Sequence, residues 1–441
     1  MALLCACGRI GFDQVTVPPE TFRVELDTTE SRVRAVALLD DGAIAISGRV
    51  AAPGTHLVDA VAGTSLQVAP FPYVGGNDVF VAVLELDGRV RWAKAFGSVN
   101  DDEVECLSVG PNGDLFLGGA LGGVADLGGG PVLPAGSDGF LLELTPDGDY
   151  VTQMLFSGPN SEDDVTAIHF DPAGDAVVVG VVSGPVDFGG GITPSSGSIS
   201  DGFVATYSPD RSLRWVNRYG GVGRTVVSGL AIDAGGDIYI AGSYEAAYDF
   251  GGGTVPYRGG TDAMLLGLDA SGGFRWNQTW GGTGNELATS IALIGSTVVV
   301  GAHYETTIDL PVPPASGSKD GLVATFSTTG TSGWTRSFGS PGCDRVVGVA
   351  TSATEIFAVG QFSGPITLDD RTISPEAGTD GLMLRFAMSG AVVEIRTEAD
   401  PGDSSMFEIT PDAHVVVGRR DALESGDCLS QTNGIGFVER W

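Results

Sequence analysis

Basic residues are scarce in this chain. Of 441 residues only 23 are Lys or Arg against 55 Asp or Glu, and just two are lysines, Lys94 and Lys319. Phosphate backbones are bound by clustered Lys and Arg; the arginines here stand singly, which excludes nucleic acid as a partner. No run of 18 apolar residues occurs, so no segment reads as a membrane-spanning helix. Helical periodicity is missing as well, because Pro and Gly interrupt each candidate stretch. Histidine is limited to His56, His169, His303 and His414, at no zinc-type spacing. Neither a Gly-x-Ser-x-Gly elbow nor a Gly-x-x-x-x-Gly-Lys phosphate loop is present. No catalytic residue and no metal ligand is assigned, and no cofactor is expected.

Glycine, by contrast, is abundant, at 68 residues, as suits a protein made of turns. A turn aspartate leading into an apolar strand, Gly-x-Asp in four copies, recurs at Asp78, Asp138, Asp201, Asp262, Asp320 and Asp380, in steps of 60, 63, 61, 58 and 60 residues. A degraded seventh copy runs from Asn433 to Trp441. Fourteen residues after the aspartate stand Trp92, Trp215, Trp276 and Trp334, and eighteen after it Phe96, Phe156, Tyr219, Trp280 and Phe338. Tight hairpins such as Pro111–Asp114 (PNGD) and Pro172–Asp175 (PAGD) join two more strands per unit, with Gly where positive φ is needed. Each unit cannot bury its own faces and needs its neighbours. The period therefore predicts one all-β domain over residues 22–441, a seven-bladed β-propeller with four antiparallel strands per blade.

The chain opens at Phe22–Leu26 with the last strand of a unit and ends with the strand that precedes it. The N-terminal strand is thus expected to complete the last blade and close the ring. The third strands are apolar on both sides, as in Val79–Leu86, and suit sheets packed between neighbours. The tryptophans of the alternating outer strands are read as inter-blade packing residues. Blade one carries extra residues between Arg49 and Gly76, expected to form a loop on a binding face. The seam at blades six and seven is expected to be the weakest part of the ring.

Units such as Ser183 to Gly221 (SGPVDFGGGITPSSGSISDGFVATYSPDRSLRWVNRYGG) resemble the bacterial seven-bladed β-propeller repeat of secreted and cell-surface proteins, including the Asp-Phe-Gly-Gly-Gly variety of myxobacterial lipoproteins. The resemblance covers 22–441 and implies an exported, surface-attached protein, with no family catalytic residues to carry over. At the N-terminus, Leu4-Cys5-Ala6-Cys7 resembles a bacterial lipobox, which implies diacylation of Cys7. Residues 1–21 are then a truncated lipoprotein signal and tether, and the missing charged region points to a start codon placed too far downstream.

Three further groups of residues are candidates. Asp126, Asp187, Asp249 and Asp309 head glycine-rich or short loops and are read as turn caps, with calcium as the alternative. The acidic loops Asp101-Asp102-Glu103, Glu162-Asp163-Asp164 and Glu398 with Asp400 and Asp403 all emerge on one face, as a cation site or as acid and base of a glycosidase or lyase. Cys106 reads as a buried thiol, while Cys343 and Cys428 lie on one face and are a candidate disulfide. The expectation is a monomeric, lipid-anchored binding or scaffold module of the cell envelope, outer membrane or exterior. Its partner would be a protein or an extracellular polysaccharide, and the membrane would be met only through the anchor. The alternatives are a polysaccharide lyase or glycosidase with carboxylates in the funnel, and a purely structural envelope protein.

Overall fold

A computed structural model describes residues 22–28, 31–59, 65–67, 69–158, 163–195, 197, 199–376, 378–397, 403–410, 415–421 and 435–440. Residues 1–21 and Cys428 lie outside them. Blade one is a meander of Arg32–Leu38, Ile44–Val50, Asp78–Leu84 and Val90–Phe96, innermost to outermost. Five more four-stranded sheets follow, with innermost strands Asp102–Val109, Asp164–Phe170, Thr225–Ile232, Leu287–Ile294 and Arg345–Thr351. Blade seven takes Asp403–Ile409, Val415–Asp421 and Ile435–Arg440 from the end of the chain and Phe22–Leu26 from its beginning. Phe22 pairs with Arg440 and Val24 with Val438, so the ring closes as the sequence predicts. The propeller is seven-bladed and all-β.

Four strands per blade holds for blades one to six. Blade seven has a fifth, Leu57–Asp59, antiparallel to Phe22–Leu26. It comes from the blade-one insertion, which therefore covers the open edge of the neighbouring sheet in addition to forming loop. An outer strand added at the closure hides backbone groups that would otherwise face solvent as an edge. Arg23 stacks over the Phe437 ring at 4.3 Å, and Arg440 donates to the Leu86 carbonyl in blade one at 3.1 Å. The seam is thus tied on both sides of the N-terminal strand.

The core is divided between the blades, with one apolar cluster at each junction. Third strands such as Asp78–Leu84 and Asp262–Leu268 are buried along their whole length, because both faces meet a neighbouring sheet. Among the described residues the cluster between blades six and seven is the sparsest.

The outer-strand tryptophans show how junctions are locked. Each indole lies against the glycine of the next blade's outer hairpin: Trp92 on Gly148, Trp215 on Gly272, Trp276 on Gly330 and Trp334 on Gly390. Those glycines have φ of 83°, 82°, 84° and 80°, a conformation that side chains disfavour. The indole N–H of Trp92, Trp276 and Trp334 donates to the carbonyls of Pro146, Thr328 and Met388 at 2.9, 2.9 and 3.0 Å. Two residues further on, Asn217, Gln278 and Arg336 donate to the same glycines' carbonyls at 2.7, 2.8 and 2.8 Å. At the closure Phe22 takes the indole's place against Gly88. In blade six the corresponding outer-strand residue is Glu394, opposite Arg385.

Candidate functional site

The central channel is built from the innermost strands, and every one of these carries a β-bulge at the same point. The register skips one residue at 34, 105, 166, 228, 289, 347 and 407. A bulge bends the strand and re-aims its side chains, here toward the axis. Opposite the residue before the bulge, the second strand places Gly48, Gly119, Gly180, Gly242, Gly360 and Gly418 in six blades. A Cβ at Gly48 would stand 1.9 Å from the Arg32 carbonyl oxygen, and one at Gly180 2.0 Å from that of Asp164. This close approach explains the glycine that ends these strands in the sequence. Blade five puts Ala302 at that point.

The resulting cavity is about 300 Å³, and its wall is uneven. On blades three to six it is lined by Thr166, Ser228, Thr289, Ser290 and Val347. Several of these hydroxyls already bind the next blade: Thr166 donates to the Val227 carbonyl at 2.7 Å, Thr289 to that of Val346 at 2.9 Å, and Ser290 accepts from the Val349 N–H at 3.1 Å. On blades seven, one and two the wall is charged. Arg34 pairs with Glu105 at 2.8 to 2.9 Å, and Arg32 and Arg49 both hold Glu103, at 3.2 and 2.9 Å. Glu408 accepts the Val36 N–H across the seam at 2.8 Å. Asp164 stands beside this group with a buried, unpartnered Oδ1.

The two acids are driven apart. Burial alone pushes Glu105 up, but Arg34 and Arg32 outweigh it and hold the carboxyl below its usual range. Burial, then the charges of Glu105 and Glu103, push Asp164 well above the ordinary carboxylate range, since both disfavour its charged form. Burial likewise raises the Cys106 thiol, which keeps it protonated and unreactive. His169 is lowered to about 4 by burial and is neutral in the channel.

The residues singled out from the sequence are dispersed. Asp126, Asp187 and Asp249 are turn caps: each Oδ1 accepts the N–H of residues two and four further on, at 2.8 to 3.0 Å. Asp309 instead accepts the Gly281 N–H at 2.9 Å and pairs with Arg258 at 2.6 Å. Of the acidic loops, Asp102 is buried and takes the Gly122 N–H at 2.9 Å, and Asp163 takes that of Ser183 at 2.8 Å. Asp102 and Asp163 are thus structural latches, while Glu103 is held by Arg32 and Arg49 and its charge acts on Asp164. Glu162, Glu398 and Asp400 lie outside the described residues. Among the described residues no three His, Cys, Asp or Glu side chains are grouped to hold a metal ion.

Among the described residues the histidines do not converge. His303 is buried in blade five with its pKa lowered to about 3 by burial, His56 sits 3.4 Å from Asp27, and His414 lies outside the described residues. Cys106 is free and buried, as expected, and Cys343 is disulfide-bonded. Cys428, its expected partner, and Cys7 lie outside the described residues. Sequence reading missed Arg34, Glu105 and Glu408. The available signal was the pair of charged alternations, Arg32-Val33-Arg34 and Glu103-Val104-Glu105, on strands that elsewhere carry Thr, Ser and Val.

No family model matches the chain. It is similar to the regulatory protein FlaEY of Caulobacter vibrioides, 27% identical over 400 residues, which cover 83% of this chain and 40% of that protein. The chain therefore spans well under two thirds of the relative's length. Among solved structures, the Dos1 propeller aligns with a TM-score of 0.44 at 10% identity, over 96% of this chain and 94% of that one. A streptogramin B lyase aligns at 0.43 and 10%, over 94% and 97%, and a puromycin hydrolase S511A mutant at 0.41 and 11%, over 88% and 58%.

Proposed function

We propose that this propeller is an exported, lipid-anchored binding or scaffold module of the cell surface that grips part of its partner in the central channel. The observation that carries the reading is the uneven wall: charge is gathered on blades seven, one and two, while blades three to six present small residues whose hydroxyls are largely committed to neighbouring blades. A site that orients a partner needs a few fixed polar groups on an otherwise bland surface. The partner is a protein or an extracellular polysaccharide, and the molecule acts as a monomer. The similarity to a protein named as regulatory supports binding over chemistry. The disulfide at Cys343 supports export, since such bonds persist in oxidising compartments; we assign its partner as Cys428.

The test is binding of the wild type and an Arg34→Ala/Glu105→Ala variant to an array of bacterial extracellular polysaccharides and to envelope-protein extract. Retained binding in the variant would remove the channel from the account. Palmitate labelling with intact mass tests the anchor at Cys7, and non-reducing peptide mapping tests the Cys343–Cys428 bond. A second reading, a lyase or glycosidase, draws support from one observation, the split pair Glu105 and Asp164, since acids with separated pKa values are what acid–base catalysis uses.

A further inference from the structure

The junction between blades two and three breaks the rule that the tryptophan junctions keep, and it breaks both halves together. Where the outer strands of blades one, three, four and five present an indole, blade two has Thr152, paired with Glu143 as Trp276 is with Gly267. Where the next hairpin elsewhere has glycine, blade three has Arg211 at φ 69°. A non-glycine residue held there costs on the order of 1 kcal/mol or more, and such exceptions to a repeat's own pattern tend to mark function.

Arg211 turns into the vacated space. Its Nε donates to Glu143 at 2.9 Å, its Nη2 to the other oxygen of the same carboxylate, and its Nη1 to the Pro209 carbonyl at 2.6 Å. That carbonyl occupies the hairpin position which accepts the indole N–H at the tryptophan junctions. The guanidinium lies 5.2 Å from the Phe116 ring, where blade four has Tyr239 against Trp276. A guanidinium is smaller than an indole, and a cavity of about 220 Å³ remains. Its lining includes Glu143, Arg211 and the edge-to-face pair Phe116–Phe170, whose centroids are 4.8 Å apart. Glu143 is only 4% exposed and its two oxygens are taken by Arg211. The guanidinium has five N–H donors, so two remain after those three bonds.

We propose that this slot is a second binding site, separate from the channel, for a small uncharged aromatic ring that carries a carbonyl acceptor. The ring stacks on Phe116 and the guanidinium face, and the carbonyl takes a remaining N–H of Arg211. An acid is disfavoured because Asp114 also lines the cavity.

The test is saturation-transfer NMR with indole-3-carboxamide, indole and cyclohexanecarboxamide. The expected order for the wild type is strongest binding for indole-3-carboxamide, about tenfold weaker for indole, and none for the saturated ring. Glu143→Val/Thr152→Trp/Arg211→Gly, which restores the clamp as in blade one, where Val83 stands opposite Trp92, is expected to lose binding at least tenfold. Glu143→Gln/Arg211→Met removes both charges together, so that neither is left buried alone, and should reduce indole-3-carboxamide to the affinity of indole. Equal binding of the saturated ring, or unchanged binding in either folded variant, overturns the proposal. If the clamp variant does not fold, the charge-removed variant decides alone.

Discussion

Replacing Gly330 by Ala tests the inter-blade clamp quantitatively. The new Cβ would meet Trp276 Cδ2 at 2.7 Å, Cε3 at 2.9 Å and Cγ at 3.0 Å, on a backbone with φ of 84°. The conformation alone costs about 1–2 kcal/mol for a residue with a Cβ. Moving the indole adds overpacking of about 1–3 kcal/mol, and about 1 kcal/mol more if its bond to the Thr328 carbonyl is lost. Gly330→Ala is therefore expected to cost about 2–6 kcal/mol. In a Trp276→Ala background only the conformational part remains, so the cost falls to about 1–2 kcal/mol and the coupling is about 2 kcal/mol, well outside the scatter of independent sites. Gly184→Ala, at φ 72° with nothing within 4 Å, supplies the control at about 1 kcal/mol. Guanidinium chloride unfolding of the four cycle members and the control measures all of this. Equal cost of Gly330→Ala with and without Trp276 refutes the clamp.

Three other outcomes are expected. Gly180→Ala places a Cβ 2.0 Å from the Asp164 carbonyl oxygen and should destabilise blade three by overpacking, about 1–3 kcal/mol, as read by thermal unfolding; a variant as stable as the wild type would show that this bulge accepts alanine as blade five accepts Ala302. Asp249→Ala removes two cap bonds, both at 2.8 Å, worth about 0.5–1.5 kcal/mol each, and should speed hydrogen exchange at Gly251 and Gly253 without changing the inner strands. Glu286 is buried, and chiefly by that burial its pKa is raised from 4.5 to about 7. Because the folded value is the higher one, its contribution to stability is complete below about pH 4.5 and is lost as pH rises through 7. Glu286→Gln should therefore gain on the wild type by up to about 3 kcal/mol between pH 5 and pH 8, measured by thermal unfolding at both; parallel curves would contradict the shift.

The architecture was legible because each blade repeats the same local instructions. Gly42, Gly113, Gly174 and Gly236 stand at φ of 86°, 84°, 87° and 85°, where hairpin chemistry requires them, and the aromatic pairs mark the outer strands. Ring closure followed from the phase of Phe22–Leu26 relative to the period. The channel wall was not legible. Arg34 and Glu105 alternate with Val33 and Val104 as on any half-buried strand, and the shared bulge turns them toward the axis. Leu57–Asp59 was hidden for another reason: three residues inside a loop carry no pattern, and their pairing with Phe22–Leu26 depends on an edge that exists only after closure. The meaning of Arg211 depends on Thr152, 59 residues earlier in the chain, a relation that appears once the blades are side by side.

The central claim, that the channel binds and does not cleave, is tested most directly by incubating the wild type and Asp164→Asn with each polysaccharide that the array shows to be bound. Chain length, reducing ends and unsaturated uronate absorbance are then followed. The account expects binding with unchanged chain length in both proteins. New chain ends formed by the wild type and lost in Asp164→Asn would contradict it and make the split pair of Glu105 and Asp164 an active site.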